Sequence, residues 1–162
     1  MIRRPPGVRA IITSNDQILL NREYRYEINE WDYRLPGGKV FDSFIDYEKA
    51  INNNSIIDCI KNGLSREIFE ETGLLPKKFE LFYKSILGFT VEWDLYFYII
   101  SEFEGSTKYN DNNIRKNEFE FIDHCWMDYN KVFDYCMQGK ISEERSSNAL
   151  MRFIFNNRKR VL

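Results

Sequence analysis

The stretch Ile56–Thr72 constrains the fold most, because its pattern is that of one amphipathic helix with defined ends. Ser55 stands at the N-cap position, and Asp58 lies in the first turn, where a negative charge suits the helix dipole. Gly73 follows as a residue that ends helices in the left-handed conformation. A helix of this length has to bury one face, so the chain must supply a layer on which it packs.

The buried face of this helix is an apolar stripe that ends in acids. At about 100° per residue, the stripe contains Ile57, Ile60, Leu64 and Ile68. Glu67 and Glu71 continue the stripe, and Glu70 lies on its flank. Burying neighbouring carboxylates is costly through desolvation and repulsion, and a divalent cation offsets that cost. Oxygen ligands suit Mg²⁺ or Mn²⁺. The alternative is a pair of acids at the rim of the core, neutralised by Arg66 or a lysine.

The rest of the chain mixes strands and helices. The break Pro36-Gly37-Gly38 ends a strand, and residues 39–54 form a short helical or looped excursion. Apolar and alternating patterns predict strands over 8–13, 18–21, 31–35, 79–86, 91–103 and 118–127, the first two joined as a hairpin, and helices over 129–137 and 143–155, the last capped by Ser142. This order predicts one α/β or α+β domain, residues 1–162, with a mixed sheet.

Charge and composition exclude several classes of protein. The 162 residues carry a net charge of −2, which gives no reason to expect binding to nucleic acid or to an acidic membrane. Three scattered cysteines indicate neither a disulfide framework nor a zinc site. The N-terminus lacks the apolar core of a signal peptide, and no apolar run approaches the roughly 20 residues that span a bilayer. A soluble, cytoplasmic protein is expected.

The end of the helix resembles a known family motif. The Nudix hydrolases carry a glycine, five residues, a glutamate and seven residues before the pattern R-E-U-x-E-E-x-G-U, where U is a bulky aliphatic residue. Residues 66–74 fit the nine positions of that second half without a mismatch. Residues 35–39, Leu-Pro-Gly-Gly-Lys, are similar to the lead-in that this family places before its loop. On these residues the chain resembles the Nudix hydrolases. Their whole pattern is called the Nudix box below, and the helix Ile56–Thr72 is called the Nudix helix or box helix.

Two features depart from the family pattern. Asp58 stands where the pattern has its first glutamate, with the seven-residue spacing to Arg66 preserved. Between Gly38 and Asp58 lie nineteen residues instead of five, so that an insertion of fourteen accounts for the excursion at 39–54. Asp58 is at the start of the helix, away from the Glu67–Glu71 end, and its expected role is structural.

Looser similarities point towards one branch of the family. Residues 22–26 (Arg-Glu-Tyr-Arg-Tyr), followed by Trp31 and the Leu-Pro pair, resemble the run that ADP-ribose-type members carry before the box. Residues 139–142 and the helix after them resemble the C-terminal segment of those members. Against this, many ADP-ribose enzymes dimerise through an extra N-terminal sheet, and the first core strand near Val8 leaves no room for it. The resemblance allows a homodimer, and the sequence does not decide the oligomeric state.

The resemblance implies both a fold and a reaction. The fold is an α/β/α sandwich with a mixed, curved sheet. The reaction is the hydrolysis of a nucleoside diphosphate derivative, a small molecule, by water attack on phosphorus with the help of Mg²⁺ or Mn²⁺. By position, Glu70 and Glu71 are metal ligands, Glu67 is a third ligand or the general base, and Arg66 orients the glutamates.

Further candidates lie outside the box. Glu120, or else Glu118, is the acid expected from a later strand. Gly37 and Gly38 allow close approach of the backbone beside the box helix. Arg25 is a candidate to pair with a phosphate, and Trp31, like Tyr24 and Tyr26, is a candidate to stack on a base. His124 is expected to be structural.

Three functions therefore remain open at this point. ADP-ribose or a related nucleotide sugar is the first expected substrate, and a (d)NTP or a dinucleotide is the alternative. A nucleotide-sensing domain without catalysis is the third, although such domains usually lack the acids that are present here.

Overall fold

The computed structural model describes residues 2–27, 29–86, 90–107, 114–115 and 121–158. Within these ranges the strands are β1 (Ile2–Arg3), β2 (Gly7–Ser14), β3 (Gln17–Arg25), β4 (Glu30–Arg34), β5 (Leu75–Pro76), β6 (Glu80–Ser85), β7 (Val91–Glu92), β8 (Leu95–Ile100), β9 (Phe103–Glu104), β10 (Ile114–Arg115) and β11 (Phe121–Asp128). The helices are α1 (Phe44–Asn52), α2 (Ile56–Thr72), α3 (Tyr129–Met137) and α4 (Glu144–Arg158).

The main sheet is mixed, as predicted. Its strand order is β10-β11-β3-β2-β8-β6, and β4 pairs with the second half of β3. The β2–β8 pair is parallel, whereas the other pairs in this sheet are antiparallel. Two short ribbons, β1–β7 and β5–β9, lie outside it. The predicted first hairpin is confirmed, because Asn15 and Asp16 connect β2 to β3 with φ angles of 50° and 58°, which suit a tight two-residue turn.

Alternation along β2 distributes its side chains to two cores. Val8, Ala10 and Ile12 pack with α1 and α2, whose buried residues include Ile60, Leu64 and Ile68. Ile11, on the opposite face, packs with α3 and α4. Two helices therefore cover each face of the sheet, and the expected α/β/α sandwich is confirmed.

The helix α2 has the predicted bounds, but its buried apolar stripe begins at a different residue from the one predicted. Ile57 is 46% exposed, while Ile56 packs against the core one position earlier. The Ser55 hydroxyl does not cap the helix, because the Ser55 backbone is not in the extended cap conformation. It donates instead to the Ala50 carbonyl at 3.4 Å. At the other end, Gly73 adopts the left-handed conformation that was expected, with φ 79°.

The predicted cap of α4 was also wrong. The backbone amide and the hydroxyl of Ser142 both donate to the buried Asp32 carboxylate, at 3.1 and 2.8 Å. The Glu143 carboxylate takes the capping role, since it accepts from the Ser146 amide at 3.2 Å. Ser142 thus ties the start of α4 to β4.

The predicted strand over 91–103 is three strands, β7, β8 and β9. Trp93 and Asp94 connect β7 to β8 without belonging to either strand. The Trp93 carbonyl accepts from the Arg145 side chain at 3.1 Å instead of from a neighbouring strand, whereas the Asp94 carbonyl accepts from the Gly7 amide at 3.0 Å, the bond with which the β2–β8 pairing begins. Beyond Ile100 the chain turns to pair with β5. In the described ranges no helix is both long and apolar enough to cross a membrane.

Candidate active site

The Pro36-Gly37-Gly38 turn is held against β2 by main-chain hydrogen bonds. The Val8 amide donates to the Gly38 carbonyl at 3.1 Å, and the Ala10 amide donates to the Pro36 carbonyl at 2.8 Å. Gly37 has a φ of 140°, and a Cβ there would lie 2.2 Å from the Val8 carbonyl oxygen. Only glycine fits at this position, so the turn stays close to the sheet.

The Glu71 carboxylate, in the last turn of α2, meets both this turn and the sheet. Its Oε2 accepts from the Gly37 amide at 3.0 Å and from Asn21 Nδ2 at 2.8 Å. The side-chain oxygen of Asn21 lies 3.3 Å from Nδ1 of His124 on β11. Glu71 is 7% exposed, so it continues the buried stripe as the helical pattern predicts. Two donors on one oxygen fix the direction in which this carboxylate points.

The Glu67 carboxylate lies against the second glycine of the turn. A Cβ on Gly38 would be 2.5 Å from Glu67 Oε2 and 2.6 Å from its Cδ. Glu67 Oε1 is 3.6 Å from Nη2 of Arg66, the neighbour that was expected to orient it. Each glycine of the turn therefore lies against one glutamate. The Gly37 amide donates to Glu71, and Gly38 lies beside Glu67.

The remaining predicted acids are placed differently. Glu70 is exposed and forms no hydrogen bond or ion pair with the described residues. Helical spacing nevertheless places its Cβ about 5–6 Å from that of Glu67. Asp58, at the other end of α2, is exposed. Glu120 and Glu118 lie outside the described residues, so the acid expected from the later strand stays a prediction.

Solved structures share this fold. A MutT Nudix hydrolase from Burkholderia pseudomallei is 21% identical in sequence, with a TM-score of 0.53 over 80% of this chain and 86% of that one. An ADP compounds hydrolase is 16% identical, with a TM-score of 0.64 over 95% of this chain and 74% of that one. The E. coli ORF135 protein is 18% identical, with a TM-score of 0.60 over 94% and 91%. The chain has the Nudix fold. No protein-family model and no curated protein matches it.

The acids of the Nudix helix have the donor atoms that a divalent cation prefers, but the described residues do not form a complete metal site. Glu67 and Glu71 offer only oxygen donors, and because Gly38 has no Cβ the Glu67 carboxylate can lie against the glycine turn. Across the described ranges, which omit 116–120, no three acids, histidines or cysteines are close enough together to hold an ion. Glu67 and Glu71 are the acids that lie against the glycine turn, Glu70 adjoins them on the helix surface, and their roles as metal ligands stay predictions.

A cavity of about 340 Å³ lies beside the glycine turn that contacts these carboxylates. Gly37 and Gly38 line it, and the same glycines contact Glu71 and Glu67. The chain leading into β2, Trp93 and the first residues of the insertion complete the wall. The insertion, whose structure is the loop before α1 and α1 itself, thus borders the space next to the Nudix helix.

Arg9 on β2 brings a positive charge to this cavity. Its side chain is partly buried, and Nη1 donates to the Val8 carbonyl at 3.2 Å. Burial lowers the pKa of the Arg9 guanidinium, while the carboxylates of Glu143, Glu71 and Glu67 act in the opposite direction. Because an arginine stays protonated at neutral pH, the cavity holds a fixed cation close to the carboxylates of the Nudix helix.

The structure places Arg25 and Trp31 on opposite faces of the β3–β4 hairpin. Arg25 donates from Nε to Glu27 at 2.7 Å. The Trp31 ring packs edge to face on Tyr24, with centroids 5.3 Å apart, and lies 4.4 Å from the guanidinium of Arg22. Neither Arg25 nor Trp31 is among the described residues that line the cavity, and their roles in binding stay predictions.

Two residues of the site were missed by sequence reasoning, Asn21 and Arg9. Each is a polar residue in a strand that is otherwise apolar at the neighbouring positions, Ile18 to Leu20 in one strand and Ala10 to Ile12 in the other. Such a residue is expected to have a specific partner when the strand is buried. That signal was available in the sequence, but it does not say which partner.

Proposed function

We propose that this protein is a Mg²⁺-dependent pyrophosphohydrolase that cleaves the diphosphate of a nucleoside diphosphate derivative, with ADP-ribose or a nucleotide sugar as its first substrate. Mn²⁺ is the alternative ion. The observation that carries the proposal is the pairing of Glu71 and Glu67 with the Gly37-Gly38 turn, beside a cavity lined by Arg9. The name of one solved neighbour, ADP compounds hydrolase, supports the choice of substrate.

In the proposed reaction a water oxygen attacks one phosphorus of the diphosphate, and the bond from that phosphorus to the bridging oxygen breaks. The products are a nucleoside monophosphate and the phosphorylated second group. When bound, Mg²⁺ would supply charge neutralisation at the phosphate oxygens and a more acidic water.

The residues of the chain would have separate parts in this reaction. Asn21 and the Gly37 amide hold one oxygen of Glu71, so that the other oxygen has a fixed direction. Glu67 and Glu71 are the first ligands, and Glu70, on the same helix surface, is the third. The proton of the attacking water passes to a carboxylate at this end of the helix, whose identity the proposal leaves open.

The proposal is tested by a substrate screen with the purified protein. ADP-ribose, nucleotide sugars, NADH, dinucleoside polyphosphates and (d)NTPs are each incubated with Mg²⁺ and with Mn²⁺, and the products are separated by chromatography. We expect ADP-ribose or a nucleotide sugar to be cleaved to a nucleoside monophosphate, EDTA to abolish turnover, and added Mg²⁺ to restore it. A preference for (d)NTPs or dinucleotides would refute the substrate, and no turnover of any compound would favour a sensing domain.

A further inference from the structure

The cavity beside the Nudix helix has the charge of a nucleotide-binding site. Its described lining includes three cations, Arg4, Arg9 and Lys39, and one acid, Asp42. A volume of about 340 Å³ falls within the range of small-molecule sites. The excess of positive charge in the lining favours an anionic ligand. Because the nearby carboxylates of α2 repel an anion, the cations of the cavity are needed to offset that repulsion. A phosphate group is a ligand of this kind.

Arg9 is the cation with donors to spare, as a comparison with Arg145 shows. Burial lowers the pKa of both guanidinium groups. Arg145 is tied down by three hydrogen bonds, two to Ser85 at 2.9 Å each and one to the Trp93 carbonyl at 3.1 Å. Arg9 makes one, to the Val8 carbonyl, among the described residues. A guanidinium has five N–H donors, so most of those on Arg9 remain for a ligand in the cavity that it lines.

Phe44 is the aromatic ring of the cavity that is open to stacking. Phe41 is only 8% exposed and packs against Tyr47. The ring of Trp93 already has two guanidinium groups against it, those of Arg4 at 4.9 Å and Arg145 at 5.0 Å. Phe44, the first residue of α1 in the insertion, also contacts Tyr47, edge to face with centroids 5.9 Å apart, but at 38% exposure it is the most accessible of these three rings.

We propose that this cavity is the nucleoside diphosphate subsite, in which Arg9 binds a phosphate and Phe44, supplied by the insertion, stacks on the base. The inference rests on the proposed function, since it assigns two parts of that substrate to two residues that line one cavity. It also gives the insertion a role, because the residues that follow Gly38 then determine which base-bearing ligand is held next to the metal ligands.

The test is equilibrium binding, which does not depend on turnover. Isothermal titration calorimetry in EDTA measures the affinities for ADP and for inorganic pyrophosphate, which has the phosphates but no base. Phe44→Ala is compared with Ile45→Ala, a control on the same helix whose side chain is 63% exposed and does not line the cavity. Arg9→Met is compared with Arg152→Met, on the exposed side of α4. Circular dichroism establishes that each variant folds.

We expect Phe44→Ala to weaken ADP binding at least about tenfold and pyrophosphate binding less than about twofold, because only ADP has a base to stack. Arg9→Met is expected to weaken both ligands at least about tenfold. Arg9→Lys, which keeps the charge but loses the fork of donors, is expected to fall between wild type and Arg9→Met, and it serves if Arg9→Met does not fold. Both controls should stay within about twofold of wild type.

Several results would overturn the subsite. These are wild-type protein that binds neither ligand, Phe44→Ala with unchanged ADP affinity or with an equal loss for pyrophosphate, and a folded Arg9 variant that binds pyrophosphate as tightly as wild type. If the expected binding pattern holds but no substrate is hydrolysed, the subsite stands and the proposed hydrolase function falls.

Discussion

The two ends of α2 carry acids of the same motif in opposite environments. At the end of the helix, Glu71 is buried between Asn21 and the Gly37 amide. At its start, Asp58 is exposed and has no hydrogen bond or ion pair with the described residues. Both positions match acids of the Nudix pattern, yet only one of them is met by residues from other elements.

This difference shows that an acid becomes part of a site through what faces it. The last turn of α2 faces a glycine turn that is bound to the sheet, and Gly38 gives up its side-chain space to Glu67. The first turn follows the insertion, where Ser55 does not cap the helix and Ile57 points to solvent. We therefore expect substitutions at the two ends to affect different properties, activity at one end and little at the other.

The largest effect is expected for Glu71→Gln. Its carbonyl oxygen can still accept from Asn21 and from Gly37, so the fold should survive, but the charge that a metal ion needs is lost. We expect Mg²⁺-dependent turnover to fall by about 100-fold or more, and the same loss for Glu70→Gln, the other proposed ligand. Steady-state rates measure the loss.

Asp58→Asn is the matched control for Glu71→Gln, because it removes an acid from the same helix. Its turnover should remain within about twofold of wild type, since Asp58 touches nothing at the site. Near-wild-type activity in both Glu71→Gln and Glu70→Gln would reject the site assignment, and a large loss in Asp58→Asn would reject the contrast between the two ends.

A smaller effect is expected for Gly38→Ala. The added methyl group would overlap the Glu67 carboxylate, which has to move, and a displaced ligand lowers kcat by about tenfold. Gly63→Ala is the control, because its Cβ would lie 3.4 Å from Cα of Val40, away from the carboxylates. Rates and melting temperatures are measured for both. Equal activity of the two variants would show that Glu67 does not need the space at Gly38.

The smallest effect is expected for Ser55→Ala at the start of α2. Because the Ser55 side chain does not cap the helix, the free energy of unfolding should change by less than about 0.5 kcal/mol. Ser43→Ala removes a hydroxyl that does cap α1, by accepting from the Asp46 amide at 3.1 Å, and should cost about 1 kcal/mol. Urea unfolding compares them, and a larger loss at Ser55 would reverse the comparison.

Patterns within one segment of the sequence correctly predicted the features that depend on that segment alone. The bounds of α2 followed from helical periodicity and from Gly73, whose left-handed conformation needs no distant partner. The Gly37-Gly38 turn and the burial of Glu71 followed in the same way. The three-layer arrangement was implied by the resemblance to the Nudix family.

The remainder depended on contacts between distant segments. Asn21 donates a hydrogen bond to Glu71, fifty residues further along the chain. Ser142 donates to Asp32 and therefore does not cap α4. The predicted strand over 91–103 is interrupted at Trp93, whose carbonyl group accepts from the distant Arg145 side chain instead of from a neighbouring strand. A pattern within one segment contains no information about such partners. The prediction of Glu120 falls outside the described residues and stays open.

The anchoring of the glycine turn to β2 has a consequence for protein engineering. The bonds that hold it join main-chain atoms of Val8 and Ala10 to those of Gly38 and Pro36, and they are independent of the side chains that follow. The turn is therefore positioned before the chain enters α1. A graft that replaces the loop and helix after Lys39 with a segment of another length would change the wall of the cavity while leaving the glycine register intact, which makes this segment the natural place to redesign ligand preference.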